Sequence, residues 1–434
     1  MSKSSSLVVL VVTLLISRGA SASTDINGLF DARSHGMGGT GVAFIGSPGA
    51  IPINPANLDK INKYSVSLDI YGIAAQPQGV YSIWHEDADG NPYQSYDTIR
   101  SKTKAAPIPF LGGAYRLHRR LVLGLAFYPV IGQGTKATYH PAPEAYPDLL
   151  ATNDVAMFLL ETGEALSIRL LDNLSIALMW RITYMSQSVS TPFATTLPGP
   201  PGVVTNPDKT EVKNINMNVS GVNFTGFQFG VHYQPVPSLE LGFTYRAKVE
   251  VWGSGYTTTE IGGMTNKLPT ESGFNNPHSL RGGLAWSAFD KKLLLAMDFK
   301  YLFYADAFKT SKVVIERNGE KMTQYRDLNW KDSAVLQLGA EYQVIKPLAL
   351  RAGYTVLNSA TRPDYAIAMA APPGISHLIC GGIGFKAMDS LDIDLAGSYV
   401  VLEGVVTTKT PTNDGPGTYA SHGGMVSLSA AFHK

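Results

Sequence analysis

The residues that could carry chemistry in this sequence are few and dispersed. A hydrolase needs a nucleophile, a base and a group that orients the base. The 434 residues contain no Gly-x-Ser-x-Gly elbow, and His278 and Ser279 are neighbours on an alternating segment, so their side chains should point to opposite faces. The nine histidines are scattered without the paired spacing of a metal site. Asp87-Ala88-Asp89-Gly90-Asn91 gathers oxygen ligands but lacks the full calcium-loop pattern; because Asp-Gly is a common hairpin turn, we read it as a turn. The glycines of Gly36-Met37-Gly38-Gly39-Thr40-Gly41 superficially resemble a dinucleotide loop, but that chemistry needs a preceding strand, a following helix and an acidic residue about 20 positions on. Glycines here suit close passage of the backbone through a confined space. We therefore expect no catalytic residue, metal ligand or cofactor, and no enzyme.

Four basic residues are more informative: Arg181, Arg246, Lys300 and Arg351 all fall on the polar face of an alternating segment. Between Leu239 and Arg246 the odd positions are mostly apolar or aromatic, while Glu240, Thr244 and Arg246 share the other face. Leu295, Met297, Phe299 and Tyr301 alternate with Ala296, Asp298 and Lys300. Leu350, Ala352 and Tyr354 oppose Arg351 and Thr355, and Leu174, Ile176, Leu178, Trp180 and Ile182 oppose Ser175, Arg181 and Thr183. Period two is the signature of strands. In a soluble sandwich the charged face would meet water. Inside a dry lumen these cations would either neutralise a ligand carboxylate or pair with inward carboxylates such as Glu240, Glu341 and Asp392.

The start of the chain bears on the compartment. Lys3 precedes an apolar run from Leu7 to Ile16, followed by Ala20-Ser21-Ala22, which reads as a secretory signal peptide, residues 1–22, cut after Ala22. No later stretch offers 18 uninterrupted apolar residues, so no membrane helix is expected, leaving a soluble protein or a barrel. Only 16% of residues are charged, against about 25% in ordinary soluble domains, and 21 Tyr, 17 Phe and 43 Gly suit antiparallel strands with aromatic girdles and many turns. Lys plus Arg (35) balances Asp plus Glu (34), so no basic field attracts nucleic acid. Cys380 is the sole cysteine, which excludes an internal disulfide framework.

About fourteen strands are expected, near residues 63–76, 108–118, 120–133, 155–171, 173–189, 212–234, 238–259, 277–289, 291–315, 330–344, 348–359, 376–388, 390–405 and 420–432. Their number is even, as bacterial outer-membrane barrels require, and many are longer than globular strands. Polar or Pro/Gly-rich inserts at 86–105, 136–153, 190–211, 260–276 and 360–375 read as extracellular loops, with tight turns at the other end. Residues 23–62 alternate weakly and read as a separate compact element before a barrel of residues 63–434.

His35 to Ala43, leading to Ile53-Asn54-Pro55-Ala56-Asn57-Leu58, resembles the N-terminal hatch of FadL-type outer-membrane transporters, in which Asn-Pro-Ala is a signature. Leu241 to Arg246, Trp330-Lys331-Asp332 and Leu350 to Tyr354 extend the resemblance along the chain. It implies an all-β transmembrane antiparallel barrel plugged by a hatch. The hatch residues Gly36, Gly38, Gly39, Gly41, Asn54, Pro55 and Ala56 would then bind or gate the ligand. It also implies passive uptake of a hydrophobic molecule, long-chain fatty acids first and aromatic hydrocarbons second, with release sideways into the outer membrane beside a kinked early strand. Pro129 or Gly132 is where that kink is expected, although a strand simply ending at Pro129 is the plainer reading. A barrel that docks a secretion or assembly system is the non-transport alternative. The expected partners are the hydrophobic ligand and outer-membrane lipid, with the barrel a monomer.

Overall fold

The structure is a computed structural model that describes residues 30–87, 89, 91–101, 107–143, 150–194, 212–261, 264–368 and 371–434. The expected signal peptide and the first residues of the hatch segment lie outside the described residues.

Among the described residues, nineteen strands join in one antiparallel sheet. They are β1 (Tyr64–Glu86), β2 (Pro92–Arg100), β3 (Pro107–His118), β4 (Leu121–Tyr139), β5 (Ala151–Leu171), β6 (Leu174–Ala194), β7 (Val212–Val236), β8 (Leu239–Arg246), β9 (Val249–Ile261) and β10 (Met264–Asn276). There follow β11 (Ser279–Ala288), β12 (Leu293–Leu302), β13 (Thr310–Arg317), β14 (Glu320–Asp327), β15 (Ser333–Ile345), β16 (Leu348–Asn358), β17 (Ile375–Met388), β18 (Leu391–Val406) and β19 (Gly417–His433). β19 pairs back onto β1, from Ser65 opposite His433 to Gln78 opposite Ala420, which closes the barrel. β8 with β9, and β10 with β11, each form one interrupted stave, and β2, β13 and β14 stand outside the ring, so the barrel has fourteen staves.

The direction of the alternation separates a membrane barrel from a sandwich. Leu125 and Leu178, each 58% exposed, lie on the outer face, while Glu161, Arg181 and Asp298 are buried on the inner one. Apolar residues point outward and charges inward, the reverse of a soluble protein, as an outer face in hydrocarbon requires. No helix among the described residues is long and apolar enough to cross a membrane. Tight turns, such as Asp172-Asn173 and Lys346-Pro347, lie at the end where Lys63 and Lys434 meet. Longer connections lie at the other end, so the tight turns face the periplasm.

Two expected loops hold strands. The 86–105 insert contains β2, which prolongs β1 as a hairpin, and the 260–276 insert is largely β10, paired along β9. The expected strand 291–315 is two, β12 and β13, separated by a helical turn, Tyr304–Ala307. At the tip of the β1–β2 hairpin, Asp87 Oδ1 accepts from the backbone N–H groups of Asp89 (2.9 Å) and Asn91 (2.8 Å), the turn that was expected there.

Inside the barrel the hatch folds from two short α-helices, α1 (Ala32–Gly36) and α2 (Ala50–Ile53), and a 3₁₀ turn, Pro55–Lys60. Asp31 caps α1 by accepting from Ser34 N–H, and Asn54 caps the 3₁₀ turn by accepting from Ala56 N–H, with Pro55 at a position that has no intrahelical use for an N–H. One contiguous apolar core runs from Phe30, Met37 and Ile51 of the hatch to Phe274, Phe308, Val313 and Trp330 in the outer half of the barrel.

Candidate functional site

Along one flank the hatch backbone lies directly on the wall. The wall carries glycine where the hatch backbone passes: a Cβ built on Gly353 would lie 2.0 Å from Gly38 N, one on Gly242 2.1 Å from Val42 O, and one on Gly339 2.5 Å from Met37 O. Gly38 and Gly39 adopt positive φ (70° and 79°), which glycine alone adopts at no steric cost. Gly36 faces Gly382 of β17.

The glycine cluster does bind an anion, but the anion is part of the barrel. Asp298 of β12 accepts from the N–H groups of Gly41 (2.9 Å) and Val42 (3.0 Å), and Arg281 of β11 pairs with the same carboxylate at 2.7 Å while donating to Gly39 O. A nest of N–H groups thus holds a wall carboxylate. Asn54 Nδ2 donates to Val42 O (2.7 Å) and to Val231 O of β7 (2.9 Å), and its Oδ1 accepts from Ala56 N–H, so one buried side chain joins both halves of the hatch to the wall. Gly230 of β7 leaves room for it, since a Cβ there would lie 2.3 Å from Asn54 Oδ1. Ala56 O accepts from Ser167 of β5.

His35, whose ring is flanked by the Ser427 (2.6 Å) and Ser398 (2.8 Å) hydroxyls of β19 and β18, has its pKa pushed down to about 4 by burial. Arg33 forms a bidentate pair with Glu341 of β15 (2.6 and 2.8 Å). Lys60, at the end of the 3₁₀ turn, pairs with Glu240 of β8.

The four basic residues singled out by alternation all point inward, Arg181, Arg246 and Lys300 buried and Arg351 half-buried, and Arg181, Arg246 and Arg351 pair with wall carboxylates. Arg181 and Arg246 share Glu161 of β5, which also accepts from Tyr128 OH (3.0 Å) and Thr183. Arg181 also donates to Ala247 O (2.9 Å), which stitches the break between β8 and β9. Arg351 bridges Glu341 (2.7 Å) and Asp394 (2.6 Å). Lys300 is buried beside Asp298 on the inner row of β12. Of the carboxylates expected to face inward, Glu240 and Glu341 do so as partners of Lys60 and of Arg33 with Arg351, while Asp392 pairs with His433 near the periplasmic rim.

Pro129 and Gly132 lie on β4 on either side of a bulge, where the register with β5 shifts between Pro129 and Ile131. The β3–β4 ladder ends at Leu111 opposite Phe127, whereas on its other edge β3 pairs with β1 all the way from Tyr115 to Pro107. Past Phe127 the two strands are joined by no ladder among the described residues. The inner side of this seam is aromatic: Phe30 of the hatch packs on Tyr128 (5.4 Å between ring centroids), Tyr71 (6.2 Å) and Phe110 (6.4 Å). A Cβ on Gly132 would meet Ile108 at 3.5 Å, and one on Gly134 would meet nothing within 4 Å.

Sequence reading put Asp298 on the polar face of its strand without giving it a partner, and missed the rest of the wall half of this site: Glu161, Arg281 and the glycines of β7, β8, β15 and β16. A usable signal existed, because a glycine inside a strand marks close backbone approach, and Gly339 stands directly opposite Gly353.

A family profile described as Outer membrane protein transport protein (OMPP1/FadL/TodX) matches residues 15–432. Among solved structures, a Pseudomonas aeruginosa FadL homologue superposes with a TM-score of 0.73 at 19% identity, covering 96% of this chain and 99% of that one. The toluene transporter TodX of P. putida gives 0.71 at 17% identity, with 94% and 99% covered. The toluene transporter TbuX of Ralstonia pickettii gives 0.65 at 17% identity, with the same coverage. A search of curated protein sequences found no match. With the family profile spanning nearly the whole chain and a hatch-plugged barrel of fourteen staves behind it, the protein belongs to the OMPP1/FadL/TodX family of outer-membrane transport proteins.

Proposed function

We propose that this outer-membrane barrel takes up uncharged hydrophobic small molecules, passing them along its apolar core and releasing them sideways into the bilayer through the seam between β3 and β4. The observation that carries this reading is the seam itself: a ladder that stops at Phe127, a bulge at Pro129–Ile131, and an aromatic lining continuous with the core of the hatch. A lateral exit suits such cargo, because an apolar molecule gains about 0.8 kcal/mol per CH₂ on leaving water and the route avoids an aqueous step. Diffusion down that gradient needs no nucleotide.

The sequence ranked long-chain fatty acids first, on resemblance, and left the four inward cations open between a ligand carboxylate and wall carboxylates. The ion pairs move uncharged cargo ahead. A fatty-acid carboxylate would have to displace Glu161 from Arg181 and Arg246, or Glu341 and Asp394 from Arg351, and breaking a buried pair costs about 3–5 kcal/mol. Relatives named as toluene transporters favour aromatic hydrocarbons within the uncharged class.

The test is uptake of labelled toluene and labelled oleate by cells lacking their own channels, comparing empty vector, the protein, and a Val130 deletion that removes the bulge. Toluene uptake that requires the protein and falls on deletion is expected. Oleate uptake alone would restore the fatty acid, and uptake of neither by a folded surface barrel would point to a protein-docking role.

A further inference from the structure

Between the hatch and the β1–β19–β18 wall lies a polar vestibule of about 310 Å³, reached from the periplasmic end. Its wall carries one level row across three strands, since Ser429 of β19 stands opposite both Asp69 of β1 and Asp394 of β18. Asp31 of the hatch, Ser65 and Ser67 also line it.

Several charges here have partners. Arg33 and Arg351 pair with Glu341 and Asp394, and Lys60 with Glu240, while Asp392 meets the His433 ring at the more open rim, where Lys434 also lines the vestibule. Asp31 and Asp69 are left with no cation in ion-pair contact among the described residues. Asp31 is held by neutral donors, Ser34 N–H (3.0 Å) and Ser47 OH (2.6 Å). Asp69 is 1% exposed and faces the vestibule, yet neither carboxylate oxygen has a hydrogen bond of ordinary geometry, although Ser429 and the Ala32 backbone lie beside it. The Ser67 hydroxyl on the same inner row is equally unsatisfied. Buried polar atoms without partners imply water or an ion, and an unpaired buried carboxylate is costly.

We propose that the vestibule binds one hydrated divalent cation of the Mg²⁺ type between Asp31 of the hatch and Asp69 of β1. A divalent ion supplies Asp31 and Asp69 with a counter-charge that no described side chain in contact gives them. No three His, Cys, Asp or Glu side chains among the described residues converge closely enough to ligate a bare ion. A cation that keeps most of its waters and is held through one or two carboxylates meets that limit, which is how Mg²⁺ usually binds. The ion ties the N-terminal end of the hatch to the strand that closes the barrel, next to the aromatic lining of the seam, since Asp69 stands opposite Phe110 and two residues before Tyr71.

The experiment titrates the full-length barrel, refolded in zwitterionic detergent without lipopolysaccharide, with Mn²⁺ as the probe and electron paramagnetic resonance as the readout. The wild type should bind one Mn²⁺ that Mg²⁺ displaces. Asp69→Asn, nearly isosteric, should weaken binding at least tenfold, while Asp392→Asn should match the wild type. Heat-modifiable gel migration establishes that each variant is folded. No saturable site in the wild type, equal binding by Asp69→Asn, or equal loss in both variants would each overturn the proposal.

Discussion

The hatch meets the barrel in two different ways. Along β11, β12 and β15–β17 its backbone lies directly on wall glycines, its Gly41 and Val42 N–H groups are held by Asp298, and its Arg33 is held by Glu341. Along β1, β3 and β4, beyond the polar vestibule and the Arg116 contacts at the periplasmic end, the contact is made by aromatic rings, and the strand ladder behind them is interrupted. Polar contacts have sharp geometry and resist displacement, whereas rings that touch at 5–6 Å can slide past one another without leaving a charge bare. A plug built this way is anchored on one flank and can yield on the other, and the flank that can yield is the one that faces the seam.

The difference is broken most severely by Asp298→Asn. Asp298 is fully buried and holds Arg281 together with two hatch N–H groups, so its loss leaves a buried guanidinium without its carboxylate. A destabilisation of about 3–5 kcal/mol is expected, measured as a lower urea midpoint with early proteolysis in residues 30–62. A midpoint within error of the wild type would mean that the ionic flank does not anchor the hatch.

Gly353→Val attacks the same flank sterically. The new Cβ would sit 2.0 Å from Gly38 N, where the obstacle is backbone and cannot rotate away. The cost should reach the top of the roughly 1–3 kcal/mol range for overpacking, or exceed it. A hatch unchanged in protease resistance would show that the wall can move outward to make room.

His35 supplies a pH dependence. Its folded pKa, about 4, lies below its ordinary 6.5, so between those values the unfolded chain binds the proton more strongly. The contribution is therefore fully present above pH 6.5 and is lost as the pH falls towards 4, by up to a few kcal/mol. His35→Gln, which keeps hydrogen-bonding capacity without titrating in that range, should flatten this part of the midpoint-against-pH curve. An unchanged slope would place the sensitive group elsewhere.

The staves were legible because hydrocarbon demands an apolar outer face, and that demand writes period two into every segment at membrane depth. β10 escaped because it reaches outside the region where both chemistry and pattern are constrained: Pro269, Asn275 and Asn276 interrupt any apolar alternation, and its ladder with β9 holds it regardless. β2, with Tyr93, Gln94, Ser95 and Tyr96 in succession, escaped for the same reason. Within the site, alternation told which residues face inward but not which ones meet. Arg351 and Glu341 stand opposite each other on adjacent strands, whereas Arg33 lies 308 residues from Glu341 along the chain and reaches it only once the barrel has closed around the hatch.

The smallest effect on folding sharpens the comparison most. Gly132 lies past the end of the β3–β4 ladder, and an added Cβ would be in ordinary contact with Ile108 at 3.5 Å and Phe158 at 3.8 Å. Gly132→Ala should therefore change stability by no more than about 0.5 kcal/mol, in contrast to Gly353→Val on the anchored flank. Gly132→Leu extends into the space beside Ile108 and should slow hydrocarbon uptake several-fold while leaving gel migration and urea midpoint near those of Gly132→Ala. Stability and uptake would then separate at one position, as expected if this stretch of β4 borders a passage. If both fell together, Gly132 would be an ordinary packing glycine and the aromatic flank no more yielding than the ionic one.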